Sequence, residues 1–409
     1  MAKEYKDLVV GLDIGTAKVM VVVAEVLGGG ELKLAGLGVA PSNGLKRGVV
    51  VNIDATVQSI QQALKEAELM ADCKITRVYT GITGSHIRGI NSSGMVAVKD
   101  REVTPADVAR VVETARAINI STDQRLLLVE PQEFVIDGQD VREPIGMSGI
   151  RLEAKVHIVT GAQSAAENII KCVRRCGLEV EQLLLNPLAT SQSVLTQDEK
   201  ELGVALVDIG AGTTDVAIFT GGAIRHTSVI PIAGDLITSD IAMALRTPTK
   251  DAEDIKVESG FAKQLLADPE QQVEVPGLGD RGPRMLSRQA LAGVIEPRVE
   301  EIFSLVHQVI RESGYEEVLS SGVVITGGSA VMPGMVELGE DIFLKPVRRG
   351  VPQYTGALAD MVAQPRAATV MGLLEEARLA RVRGHKVAQK NGSMKTAFAR
   401  FKDFIVGNF

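Results

Sequence analysis

Twice in this chain, about 195 residues apart, an aliphatic run ends on an aspartate, turns through glycine and threonine, and leaves as a second aliphatic run. The first copy is Leu8 to Leu12, then Asp13-Ile14-Gly15-Thr16, then Val19 to Val26. The second is Gly203 to Val207, then Asp208-Ile209-Gly210, with Gly212, Thr213, Thr214 and Asp215 before Val216 to Phe219. Each reads as a β-hairpin. One Asp-x-Gly turn alone is conformational punctuation, because both residues favour turns for their own reasons. A repeat at this separation points to a device used once in each half of the molecule. Glycine lets backbone N–H groups approach an anion and threonine hydroxyls add donors, so such turns cradle phosphate oxygens. Asp13 and Asp208 suit a hydrated Mg²⁺, which keeps most of its waters and takes carboxylates as outer partners. Lys18 adds a charge near the phosphates.

A third glycine element, Val324-Ile325-Thr326-Gly327-Gly328-Ser329, is a strand running into a turn whose missing side chains leave room for a flat base. No G-x-x-x-x-G-K-[ST] occurs, and Gly210-Ala211-Gly212-Thr213-Thr214-Asp215 lacks the third glycine of a dinucleotide fingerprint, so Walker and Rossmann sites are excluded. At 409 residues the chain exceeds a single ordinary core and calls for several domains. Helices are expected from an Asp54 cap, with Val57, Ile60, Leu64 and Ala67 on one face, and from Thr104, where Pro105, Asp107 and a Val103–Val108 pair form a capping box and staple. Asn186-Pro187 reads as cap and first residue of another helix, and Pro297 predicts a kink or restart within 289–313.

The order of the three glycine elements resembles the actin, Hsp70 and sugar-kinase superfamily over nearly the whole chain, which implies an α/β, two-lobed actin-like (ribonuclease-H-like) ATPase fold around ATP and Mg²⁺. Asp13 to Lys18 falls on its first phosphate motif, Asp208 to Asp215 on its second, and Gly327, Gly328 and Ser329 on its adenosine motif. Glu253 and Lys256 match its adenosine-contacting helix, although alone they read as a solvated i,i+3 pair. Gly234 and Asp235 match the loop that approaches the phosphates from the second half. Within the superfamily the chain is similar to the FtsA family of bacterial cell-division actins, through Ser85-His86-Ile87 opening an inserted subdomain, the compact length and the C-terminal tail.

That resemblance implies a first-lobe core of 1–83, 162–195 and about 356–383, and an inserted α+β subdomain at 84–161. It implies a second-lobe core of 196–223 and about 298–355, with a smaller subdomain at 224–297. A linker at 384–393 and an amphipathic helix at 394–409 complete the division. The implied partners are further copies of itself in a filament, the C-terminal tail of FtsZ, later division proteins through the insert, and an anionic membrane. Arg284, Arg288 and Arg298 in or beside the smaller subdomain are candidates to meet the acidic FtsZ peptide, or else a solvated basic face.

The tail carries its own signal. On a helical projection Met394, Ala397, Phe398, Phe401, Phe404, Ile405 and Phe409 fall within an arc of about 140°, flanked by Lys395, Arg400 and Lys402. This reads as a membrane-surface anchor on the cytoplasmic face, or as a helix docking on its own core. Acidic residues exceed basic ones by 51 to 44, so nucleic acid is not an expected partner. Three cysteines are too few for a disulfide framework, and Cys172 with Cys176 reads as a small apolar pair rather than a metal pair. His86 and His157 read as structural. A carbohydrate kinase would need an acidic general base between the lobes, and no segment supplies one; an Hsp70-like chaperone would need a substrate domain after the last core helix. A pilus-assembly relative has a similar insert but normally lacks such a tail. No residue stands out to orient an attacking water, so ATP hydrolysis is expected to be slow or absent.

Overall fold

The computed structural model describes residues 7–279 and 281–390, with side chains described to Arg383. The strand Leu8–Ile14 pairs antiparallel with Lys18–Val26 and parallel with Arg77–Ile82, in a five-stranded sheet completed by Leu32–Pro41 and Glu179–Leu185. Alternate residues of these strands enter two different cores. Val10, Leu12, Val19, Val21 and Val23 pack with Ile60, Ala63, Leu64 and Ala67 of the helix Ile53–Ala71. Val9, Met20, Val22 and Ala24 pack with Val370, Met371, Leu373 and Leu374 of the helix Ala368–Lys390. A sheet covered on both faces has no use for polar residues, which is why these strands read as unbroken aliphatic runs.

The second lobe repeats the plan. Its sheet runs Ala223–Ile230, Thr214–Thr220, Val204–Ile209, Val323–Thr326, Val347–Arg349. Val207, Ile209, Val216 and Ile218 face one core and Val204, Leu206, Ala217 and Phe219 the other. Between the strands Arg77–Ile82 and Glu179–Leu185 sits the insert. Its antiparallel sheet, in the order Arg88–Ala97, Arg151–Ala162, Gln124–Ile136, Gln139–Val141, is backed by the helix Pro105–Arg116. The Thr104–Asp107 capping box forms as expected, and Val103 and Val108 are both buried.

Five local expectations are corrected. The cap of Ile53–Ala71 is Asn52, whose side chain accepts from Ala55 N at 3.0 Å, and Asp54 lies in the first turn. Asn186 is the first residue of the helix Asn186–Val194 rather than its cap, because Leu185 is still extended. Pro297 neither breaks nor restarts the 26-residue helix Arg288–Ser313: Ile295, Val299, Ile302 and Phe303, on both sides of the proline, are buried in one core, and that packing carries the helix through. The strand Ala223–Ile230 pairs with Thr214–Thr220, so 224–230 belong to the core sheet and not to the smaller subdomain. The expected linker opens as helix, since Ala368–Lys390 continues past Gly384; one glycine costs about 1 kcal/mol, and Arg, Val, Ala, Gln and Lys around it sustain a helix. The expected anchor helix lies outside the described residues.

Candidate nucleotide-binding site

The two hairpin turns are built alike. Gly15 N donates to Lys18 O at 3.0 Å, and Gly210 N donates to Thr213 O at 2.9 Å. They meet across one cleft of about 590 Å³, where a Cβ on Gly212 would lie 2.6 Å from Thr16 Oγ1. Thr16 Oγ1 in turn accepts from Gly48 N at 3.2 Å. Asp13, Gly15, Thr16, Lys18, Asp208, Gly210, Gly212, Thr213, Asp215, Glu253, Lys256, Gly327, Gly328 and Ser329 all line this cleft.

Three carboxylates form its floor. Asp208 Oδ2 accepts from Thr190 Oγ1 at 2.9 Å and from Thr369 Oγ1 at 3.2 Å, hydroxyls brought by the helices Asn186–Val194 and Ala368–Lys390. Asp215 faces Asp208 in the strand register and accepts from Thr83 Oγ1 at 2.6 Å. Burial pushes Asp215 up to about 8, with the charges of Asp208 and Asp13 adding to the rise. Burial likewise lifts Asp13 to about 6 against the pull of Lys18, and raises Asp208 against the hydroxyls of Thr190 and Thr369. Lys18 is lowered to about 8 by burial, with Asp13 opposing, and its Nζ donates to Arg366 O at 2.5 Å. Three acids against one lysine leave a shortage of positive charge, which a divalent cation would make good. Among the described residues no three carboxylate, histidine or cysteine groups converge into a metal cage, so the floor fits a hydrated ion better than a fully protein-ligated one.

In the third glycine element, Gly327 has φ +90°, and a Cβ there would overlap Asp208 Oδ1. Nothing lies within 4 Å of a Cβ built on Gly328, so that position is open. Ser329 Oγ donates to Gly210 O at 2.9 Å and clips the third glycine element to the second. Lys256 Nζ pairs with Glu253 at 2.7 Å and donates to Gly234 O at 3.1 Å.

Several expected residues stand behind the cleft instead of in it. Thr214 is fully buried and gives its hydroxyl to Ile232 O at 2.8 Å. The Gly234 and Asp235 amides donate to Gly210 O and Ala211 O at 3.1 and 2.8 Å, so they brace the second turn and are spent for a phosphate. Each of the three arginines read as candidates for an acidic peptide has partners within the chain, and Arg284 is exposed. Arg284 donates to Leu245 O, and Arg298 pairs with Asp240 and Glu301. Arg288 lies in the cleft wall, bonded to Ser259 O and Gly260 O.

The cleft also takes Gly48, Thr83, Asn186, Gln364, Arg366 and Thr369, which sequence reasoning missed as site residues. The buried Asn186 Oδ1 has no hydrogen-bond partner and presses on Gly81. His86 and His157 are structural: His86 Nδ1 accepts from Ala162 N at 3.2 Å, and His157 bonds Asn91 and Thr227. Cys172 and Cys176 are free thiols, both raised by burial. Lys395, Phe398, Arg400, Phe401, Lys402, Phe404 and Ile405 lie outside the described residues, and no described helix is long and apolar enough to cross a membrane.

The family "Cell division protein FtsA" matches residues 205–372, and "SHS2 domain inserted in FTSA" matches 84–160, within one residue of the expected insert. The cell division protein FtsA of Pseudomonas aeruginosa is 54% identical, with 98% of each chain covered. That of Neisseria meningitidis is 50% identical over 97% of this chain and 98% of the relative. Among solved structures, the PilM-PilN type IV pilus biogenesis complex superposes with TM-score 0.65 at 18% identity, covering 90% of this chain and 98% of that one. MreB 5 of Spiroplasma citri bound to AMPPNP gives 0.56 at 14%, covering 95% and 100%. The structural likenesses give the fold, and identity over nearly full length gives more: the chain belongs to the FtsA family of cell division proteins.

Proposed function

We propose that this chain binds ATP with Mg²⁺, polymerises at the cytoplasmic face of the membrane, anchors the FtsZ ring there through the FtsZ C-terminal tail, and recruits later division proteins through its insert. The observation that carries the nucleotide part is the convergence of two like-built glycine turns on Asp13, Asp208 and Asp215. In this reading the backbone amides around Gly15–Thr16 and Gly210–Gly212 hold phosphate oxygens and Lys18 offsets their charge. Mg²⁺, when bound, supplies the positive charge that the three carboxylates lack. Lys256 and Glu253, already paired, present a fixed polar edge to the ribose.

Structural neighbours support the filament reading without carrying it: MreB 5 was solved with AMPPNP, and MamK as a double helical filament. The FtsA relative at 54% identity places a division role ahead of pilus assembly, whose neighbour shares 18%. The membrane part rests on the aromatic arc Phe398, Phe401, Phe404 and Ile405 with its basic flanks.

Electron microscopy of the full chain with MgATP on anionic vesicles tests these parts together, with filaments expected only when ATP is present. Asp208→Ala is expected to weaken ATP binding at least tenfold, about 1.4 kcal/mol. Removing Phe398 to Phe409 is expected to abolish vesicle co-sedimentation and leave ATP affinity intact. Undiminished pelleting of the truncated chain would remove the anchor.

A further inference from the structure

We propose that Arg288 is the stacking plate for the purine base, a role that rests on the ATP reading above. The guanidinium carbon lies 5.0 Å from the centroid of the Phe261 ring, so one face of the group is covered. Three of its five N–H groups are committed as well. Nε donates to Ser259 O at 2.9 Å, Nη1 to Gln271 Oε1 at 3.0 Å, and Nη2 to Gly260 O at 3.3 Å. A planar group with one face covered and each nitrogen bonded has its second face left, and Arg288 lines the nucleotide cleft.

The surroundings suit a flat heterocycle. Val257, Val331, Met332 and Pro333 line the same cleft, and Gly328 leaves open space beside them. The plate is also braced from behind: Gly334, at φ +84°, approaches the Phe261 ring so closely that a Cβ there would sit 2.7 Å from Cε1. Arg288 is moreover the first residue of the helix Arg288–Ser313, where a cation faces the positive end of the helix dipole. A fold that keeps a cation in that position, and fixes it with three hydrogen bonds, has use for its geometry more than for its charge. Guanidinium planes stack on electron-rich rings, and three of the five N–H groups of this one are already committed to the protein. Base stacking on Arg288 therefore adds affinity through the ring face, which every nucleobase has.

The test compares the full chain with Arg288→Lys and Arg288→Ala, measuring affinity for MgATP and for inorganic tripolyphosphate with Mg²⁺, alongside thermal melting. Lysine keeps the charge and loses the plate. Both variants are expected to lose tenfold or more in ATP affinity, with tripolyphosphate affinity within twofold of the unaltered chain. ATP binding unchanged in Arg288→Lys, or ATP and tripolyphosphate affinities falling in parallel, would overturn the stacking role. Failure of the unaltered chain to bind ATP would instead remove the nucleotide reading, and this proposal with it.

Discussion

Thr83 donates its hydroxyl to Asp215 at 2.6 Å, joining the last residue before the insert to the second glycine hairpin, 132 positions along the chain. The residue just ahead of the insert thus touches a floor carboxylate of the cleft. Asp215 also sits on the strand that pairs with Ala223–Ile230, and that strand is the one the insert rests on. Gln132 Nε2 donates to Ile224 O at 2.9 Å, Asn91 Nδ2 to Arg225 O at 3.1 Å, and Arg225 Nη1 to Glu133 at 3.0 Å. Cleft and insert share one hairpin.

The first expectation concerns pH. Burial raises Asp215 to about 8 and Asp13 to about 6, both above the ordinary carboxylate value of 3.8. The folded, ligand-free protein then holds more protons than the unfolded chain between pH 4 and 8, so these two groups lower stability as pH rises through that window. Cation binding needs them ionised, so Mg²⁺-dependent ATP affinity should climb from pH 6 to 9. Asp215→Asn should raise the pH 8.5 melting temperature of the nucleotide-free protein and flatten the pH profile of MgATP binding. A steeper or unchanged profile in calorimetry would contradict the shared-floor arrangement.

Gly327 carries the second. At φ +90° a side chain is strained, and its Cβ would sit 2.5 Å from Ile209 O, a backbone atom that cannot turn aside. Gly327→Ala should destabilise the protein by about 1–3 kcal/mol and weaken ATP binding. Gly328→Ala, at an open position, should leave stability unchanged within about 0.5 kcal/mol. Chemical denaturation of the pair reads the contrast.

His157 carries the third. Its ring nitrogens lie 2.7 Å from Asn91 Oδ1 and 2.9 Å from Thr227 Oγ1, joining insert to second lobe. Burial, with His226 adding, lowers it to about 4 from an ordinary 6.5. Its contribution to stability is present above pH 6.5 and is lost as pH falls towards 4. His157→Leu should cost about 1–3 kcal/mol at pH 7.5, because the buried Thr227 hydroxyl loses its ring partner while Asn91 Oδ1 keeps Gln132 Nε2 at 3.2 Å, and less at pH 4.5. Amide exchange in 88–97 and 223–230 should quicken in the variant at pH 7.5.

Much of the cleft lining was legible because glycine turns are local: Asp13-Ile14-Gly15-Thr16 and Asp208-Ile209-Gly210 hold their pattern within a few neighbours. The same locality made the Thr104–Asp107 capping box readable. Thr83, Thr190 and Thr369 were not readable as site residues, since each reaches a carboxylate far along the chain and nothing beside it in sequence marks it. The place of Arg288 in the cleft wall was hidden for a related reason. An arginine on a helix end looks solvent-facing until the Phe261 ring and the Ser259 and Gly260 carbonyls fold around it. The strand Ala223–Ile230 was cut at 224 because its partner across the hairpin, not its composition, decides which body it joins.

Gly372, in the helix Ala368–Lys390, presses so hard on Ala189 O of the helix Asn186–Val194 that a Cβ there would overlap it. The two helices cross there backbone to backbone, and each sends a threonine, Thr190 and Thr369, to the same oxygen of Asp208. A crossing with no side chain between its members cannot be compressed, and its nearest neighbours are tied to the cleft floor. The contact therefore fixes how far apart the two helices stand beside the cleft floor, and with it the spacing of the two hydroxyls that hold Asp208.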